Sequence, residues 1–160
     1  MLVLVVEDDP GVRESLRRSL TFNGFTVRGT TAPSTNGQTA WAVYVSSDGT
    51  HRGSNLTFND WNVDNTSSAS GHEVNGMQLY HAPQAAGVTG LGWTVRGGYW
   101  GFVGRYDATN VDIEGWSISG TRGPSFDSEG PAGVVRNMSA SGSGSPIIES
   151  PMVDGGGNVW

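Results

Sequence analysis

The side chains best suited to chemistry in this chain of 160 residues are few. Asp127, Glu129 and Glu149 form its one set of closely placed late carboxylates, and Arg105 precedes them. Two or three carboxylates converging across a sugar bond are what glycoside hydrolysis requires. An arginine acting as base, with Ca²⁺ held on acids nearby, is what an eliminating lyase requires, and Arg105 with Asp127 and Glu129 is the best available set for it. Tyr44, Tyr80, His81 and Tyr106 lie in comparable places upstream, with Asp107 beside the last. Their rings would offer stacking surfaces to sugars, and an arginine among acids could clasp a uronate. Against both readings stands the plain one, that acids at the turns of an acidic protein serve solvation.

Other constellations carry less. His51, His72 and His81 are scattered, and no pair has metal-ligand spacing. "DGGG" at Asp154 and "RGG" at Arg96 read as glycine-rich turns rather than phosphate cradles, since no helix follows either. The net charge of −6, with nine basic residues that are all Arg, argues against a nucleic-acid partner. The charge is dispersed rather than run together, which suits solvation. The absence of cysteine excludes disulfides and thiolate metal sites. No apolar run approaches 18 residues, so no spanning helix and no membrane partner is expected. "MLVLVV" is too short for a signal-peptide core and is followed directly by acids, which leaves the compartment open.

The elements that must position these groups fall into two parts. At the N-terminus "LVLVV" has the composition of a strand buried on both faces. Asp9 is a good N-cap and Pro10 a good first helical residue. Val12, Leu16 and Leu20 then make one apolar helical stripe, with Glu14 and Arg18 able to pair on the wet side. From about Arg28 the composition shifts to Gly, Ser, Thr, Asn and scattered Trp.

That second part is repetitive. "NLTFNDWNVDN" from Asn55, "GVTGLGWTVRG" from Gly87, "NVDIEGWSISG" from Asn110 and "AGVVRNMSASG" from Ala132 align without gaps. Their bulky residues Trp61, Trp93, Trp116 and Met138 are spaced by 32, 23 and 22. A second motif falls between copies: "WAVYVSSDGT" from Trp41 matches "WGFVGRYDAT" from Trp100, and "NGMQLYHA" from Asn75 fits the same slot. "GPSFDSEG" and "SPIIESP" read as later copies in a register the sequence does not fix, and "GGGNVW" as the start of a fifth copy of the first motif. A period near 22 with about three short strands cannot bury its own apolar face, but stacked turns of chain can. The pattern predicts a parallel β-helix with Trp, Val/Ile and Phe columns inside. Asp60, Gly92, Gly115 and Asn137 should occupy a tight left-handed turn in each coil.

The opening "LVLVVEDDPGVRESLRRSL" resembles the receiver domain of bacterial response regulators, from Met1 to about Val27. The resemblance implies that Glu7 and Asp8 are the acids that hold Mg²⁺. The family's phosphoacceptor Asp, at the end of a third strand, has no counterpart, and there is no Lys in the chain, so the fragment is expected to be inert. The repeats, together with "NVDIEG" from Asn110, resemble the right-handed β-helices of the pectate-lyase-like superfamily, roughly from Phe25 to Trp160. In pectate lyases a similar "NVW" run leads to a segment whose Asp helps hold Ca²⁺; here the chain stops mid-coil at Trp160.

The expectation is therefore an all-β right-handed parallel β-helix over residues 28–160, with a receiver-like β-α appendage over 1–27 capping its first coil. "SLTFNGFTVRGT" from Ser19 also matches "NLTFNDWNVDNT" from Asn55, so the two parts read as spliced at a shared stretch. The expected role is a monomeric module, from a secreted parent, that binds or processes polysaccharide as a lyase or hydrolase. The alternatives are a phosphorelay protein and a purely structural repeat without ligand.

Overall fold

The computed structural model describes residues 20–29, 39–46, 56–66, 73–80, 87–105 and 109–160. These form three parallel sheets whose strands, numbered along the chain, follow one another in rotation. The first sheet holds β1 (Leu20–Asn23), β4 (Leu56–Asn59), β7 (Val88–Leu91), β10 (Val111–Glu114), β13 (Gly133–Arg136) and β16 (Met152–Asp154). The second holds β2 (Thr26–Arg28), β5 (Asn62–Asn65), β8 (Thr94–Gly97), β11 (Ser117–Ser119) and β14 (Ser139–Ser141). The third holds β3 (Thr39–Ser46), β6 (Glu73–Tyr80), β9 (Phe102–Arg105), β12 (Phe126–Glu129) and β15 (Ile147–Ile148). Every strand pairs with its counterpart one coil away, so the fold is the parallel β-helix that the repeat demands.

The corner between the first two sheets shows why the repeat has its spelling. Gly24, Asp60, Gly92, Gly115 and Asn137 all have φ between 54° and 69°. Each N–H donates to a carbonyl in the next coil, as Asp60 does to Leu91 at 2.8 Å and Gly92 to Glu114 at 2.9 Å. Only Gly adopts that conformation without cost, and Asn and Asp tolerate it best among the rest. The residue that follows turns its ring inward. Trp61, Trp93 and Trp116 stack with centroids 5.2 and 4.4 Å apart and planes within 7° and 3°. Each indole N–H donates to a carbonyl of the preceding coil: Trp61 to Phe22 at 3.1 Å, Trp93 to Phe58 at 2.9 Å and Trp116 to Gly90 at 2.9 Å. A large apolar ring is thus buried with its one polar atom satisfied.

Aliphatic and Phe columns fill the remaining interior. Val63, Val95 and Ile118 line the second sheet, and Met77, Phe102 and Phe126 the third, all fully buried. Full burial of one such side chain contributes about 1.5–3 kcal/mol.

Three details sharpen the sequence reading. Leu20 and Thr21 lie in β1, in register with Leu56 and Thr57, so the stretch shared by the two parts forms the first coil on both sides of the 27/28 division. Leu20 accordingly ends no helical stripe, while Val12, Leu16 and the rest of the expected cap lie outside the described residues. The last copy of the first motif begins at β16, where Met152 pairs with Gly133, rather than at "GGGNVW". Asn158 and Val159 instead follow Met138 and Ser139 around the corner, displaced by one inserted glycine. The later copies of the second motif also acquire a register: Phe126 pairs with Phe102, and Ile147 with Asp127.

Candidate binding face on the third sheet

The third sheet presents its outward side chains in columns. Tyr44, Gln78, Val103, Asp127 and Ile147 occupy one position from coil to coil, and Arg105 and Glu129 share the position two residues on. At the start of this sheet the alternation is interrupted. Ala42 and Val43 are consecutive, yet both pack against the core. The interruption repeats at Gly76, where a β-carbon would meet the Gly101 carbonyl oxygen at 2.4 Å. The backbone bends there, and only a residue without a side chain fits between the coils.

The bend places Trp41 and Tyr44 on the same outer face. Trp41 is 36% and Tyr44 44% exposed, and their ring centroids lie 4.6 Å apart. Trp41 stands outside the interior columns. Its neighbours on either side of the bend already fill the core, and its own ring is left outside. The match of "WAVY" with "WGFV" was the signal available, but it aligned the two tryptophans without saying which face they take. Trp100 sits in the corresponding place two coils on, with the Arg105 guanidinium carbon 5.9 Å from its ring centroid.

Arg105 gathers the acids. It stands opposite Glu129 in the ladder, and Asp127 is the next outward residue on the same strand. The guanidinium forms a bidentate pair with Asp127, at 2.9 Å to Oδ1 and 2.8 Å to Oδ2. Glu129 approaches it at 3.3 Å from the half-exposed side. Asp127 is only 2% exposed, so its charge is compensated by this fork rather than by water. The hydrogen bond to Asp127 raises the Arg105 pKa above its ordinary value, against an opposing effect of burial; the charges of Asp127, Glu129 and Glu149 add to the increase. Arg105 is therefore held as a cation, and a guanidinium so held is poorly placed to take up a proton. Both Asp127 oxygens are engaged as well.

Of the expected site residues, Arg105, Asp127 and Glu129 meet, and Glu149 continues their row, its N–H donating to Ser128 at 3.1 Å. Tyr44 shares the outer face at the far end of the sheet. Tyr80 belongs to β6, but its side chain lies outside the description. Glu7, Asp8, His81, Tyr106 and Asp107 also lie outside the described residues. Among the described residues no three His, Asp or Glu side chains converge as a metal site. With both Asp127 oxygens on Arg105, the row does not suit Ca²⁺, and no chemistry is routed through a metal here.

The chain is similar over 25 residues, 76% identical, to the response regulator MprA of Mycobacterium ulcerans, a match that covers 16% of this chain and 11% of that protein. No family model matches the chain. No solved structure matches it.

Proposed function

We propose that the outer face of the third sheet binds an extended, uncharged polysaccharide, with the Trp41–Tyr44 pair as its stacking platform. The observation that carries this reading is the exposure of two adjacent rings, Trp41 and Tyr44, on that face. Rings of this kind match the apolar faces of sugar rings and bind them at small entropic cost. The successive coils rise by about 4.8 Å each, which gives a long, regular surface suited to a repeating polymer. Uronates are the poorer ligand, because Arg105 is committed to Asp127 and leaves Glu129 and Glu149 as the charges nearest the polymer. Binding rather than cleavage is favoured by the same engagement, which occupies both Asp127 oxygens and the Arg105 fork.

Calorimetric titration with a neutral glucan and with polygalacturonate tests the reading. The glucan should bind more tightly, and Trp41→Ala or Tyr44→Ala should each weaken it by about 1 kcal/mol. Equal or tighter binding of polygalacturonate, or glucan binding indifferent to both substitutions, would refute it. Release of an unsaturated uronate, read by ultraviolet absorbance, would replace it with the lyase reading.

The likeness to a response regulator favours a second reading, a phosphorelay protein whose N-terminal acids would hold Mg²⁺. Incubation with acetyl phosphate and Mg²⁺ should leave the intact mass unchanged, since no Lys and no matching acceptor Asp are present. A stoichiometric phosphoryl adduct would establish the phosphorelay reading instead.

A further inference from the structure

The outer face of the third sheet carries hydrogen-bonding atoms that its own residues leave unused. Asn75 is 1% exposed, yet neither its Oδ1 nor its Nδ2 has a hydrogen-bond partner. Trp100 Nε1 is buried and unpartnered as well. Other orphaned atoms among the described residues occur one to a side chain, as at Asn59, Asn62, Ser125 and Ser128. Asn75 has a donor and an acceptor in that condition together. Burying an amide without hydrogen bonds is costly and calls for a reason beyond packing.

The ladder puts this amide in the aromatic column. Asn75 stands in register with Trp41 of the coil before. The next residue, Gly76, faces the interior, since a β-carbon there would approach Val95 Cγ1 at 3.0 Å. The bend falls after Asn75, so the alternation of side chains along the strand still holds there and turns Asn75 to the outer face with Trp41. In the following coil the Trp100 carbonyl accepts from the Gly76 N–H at 3.1 Å, which sets Trp100 on the other side of Asn75. The column therefore reads indole, amide, indole over three successive coils. The Asn75 backbone is held separately, its carbonyl accepting from Asn65 Nδ2 at 3.4 Å.

The unused atoms match one ligand chemistry. A carboxamide offers an acceptor and a donor side by side in one plane. Two hydroxyls on adjacent ring carbons of a sugar offer the complement, one donating to Oδ1 and the other accepting from Nδ2. The Trp100 N–H adds a donor for a further oxygen of the same sugar edge. A carboxylate has no hydrogen to give Oδ1, which again disfavours uronates.

We infer that Asn75 is the specificity-determining residue of the aromatic face, and that it selects glucans in which two neighbouring secondary hydroxyls of each glucose are free. The inference rests on the reading of that face as a polysaccharide surface. Trp41, a third open to solvent, is the ladder neighbour with freedom to uncover the amide, since exposed side chains change rotamer within nanoseconds. A linkage that consumes one of the two hydroxyls leaves half of the amide orphaned in the complex, and is rejected for that reason.

Calorimetry on the full chain with cellohexaose and laminarihexaose tests the inference. The links of the first leave both neighbouring hydroxyls free on its internal sugars, and those of the second consume one of them. Cellohexaose should bind about tenfold more tightly, the equivalent of one net hydrogen bond. Asn75→Leu keeps the side-chain volume and removes both polar atoms. It should bring the two ligands to the same, weaker affinity, and it should melt no lower than the parent. Equal binding of the two ligands by the parent, or a preference that survives Asn75→Leu, would overturn the inference while leaving Trp41-dependent binding, and the stacking reading, in place. A clear fall in the melting temperature of Asn75→Leu would assign the amide to the fold and overturn it as well. Absence of binding to both ligands, or binding indifferent to Trp41→Ala, would instead remove the stacking reading and this inference with it.

Discussion

Four of the six tryptophans of this chain mark two contrasting settings, a buried stack and an exposed face. Trp61, Trp93 and Trp116 stand in a closed stack, each ring sandwiched or end-capped by the next and each N–H bonded to the coil before. Trp41 stands on the outer face against Tyr44, a third of its surface open. The same residue type serves both because an indole is a large apolar plate with one donor. What differs is the backbone beneath it. After a left-handed corner residue the chain aims the ring inward, whereas beside the bend at Ala42 and Gly76 it aims the ring outward.

The comparison is broken most forcefully at the middle of the stack. Trp93→Ala removes a fully buried ring, its two stacking contacts and the donor to Phe58, and should cost about 3–5 kcal/mol. Urea unfolding should show the loss directly. Trp41→Ala, by contrast, should leave the unfolding midpoint within about 0.5 kcal/mol of the parent. If the two variants lose comparable stability, the division into spine and surface is wrong.

Arg105 sharpens the contrast within the outer face itself. Arg105→Met strands the buried Asp127 carboxylate and should cost about 3 kcal/mol, the low end of the usual range because Arg105 is itself a quarter exposed. Adding Asp127→Leu should recover most of that loss, which a double-mutant cycle in urea would measure. Failure of the second substitution to rescue would mean that the pair contributes through something other than mutual compensation.

Smaller effects are expected at the corner that aims the stack. Asp60→Val places a β-branched side chain at φ 56° and should cost about 1–2 kcal/mol, while Asp60→Gly should be neutral or slightly stabilising. Thermal melts of the two variants should therefore move apart.

The smallest effect is expected on the first sheet. Hydrogen bonds from Arg136 and Asn137 hold the Glu114 carboxyl below its ordinary value of 4.5. A depressed folded-state pKa contributes stability that is fully present above the unfolded value and is lost as pH falls through the folded one. Glu114→Gln should thus lower the melting temperature slightly at neutral pH, and the difference from the parent should vanish well below 4.5. A difference that persists in acid would assign the contribution to packing.

Much of the fold was legible because a solenoid repeats its own constraints. Asp60, Gly92, Gly115 and Asn137 all adopt the left-handed turn expected from their alignment, since few residues tolerate it and the column must share it. The gapless copies aligned because strands in register cannot slip without exposing the stack. The parts that were hard to read lack such reinforcement. "GGGNVW" carries one glycine too many for its copy, and glycines in a row give no phase. The proximity of Arg105, Asp127 and Glu129 was legible because they recur at a spacing of about one coil. Their engagement with one another was not legible, because the sequence shows that opposite charges lie near but not that one of them is buried. The face that Trp41 takes was not legible for a related reason: a bend costs no change in the apolar pattern, only a pair of adjacent inward residues.

The parallel indoles also give the molecule an optical property. Transition dipoles held a few ångströms apart in nearly parallel planes couple, so light absorbed by the stack is shared among Trp61, Trp93 and Trp116 rather than confined to one ring. Such coupling produces a signed couplet in the indole band of the circular dichroism spectrum. Its amplitude depends on the separation and angle of neighbouring rings. The spectrum thereby reports the alignment of successive coils, which the amide bands, averaging over every strand, do not resolve.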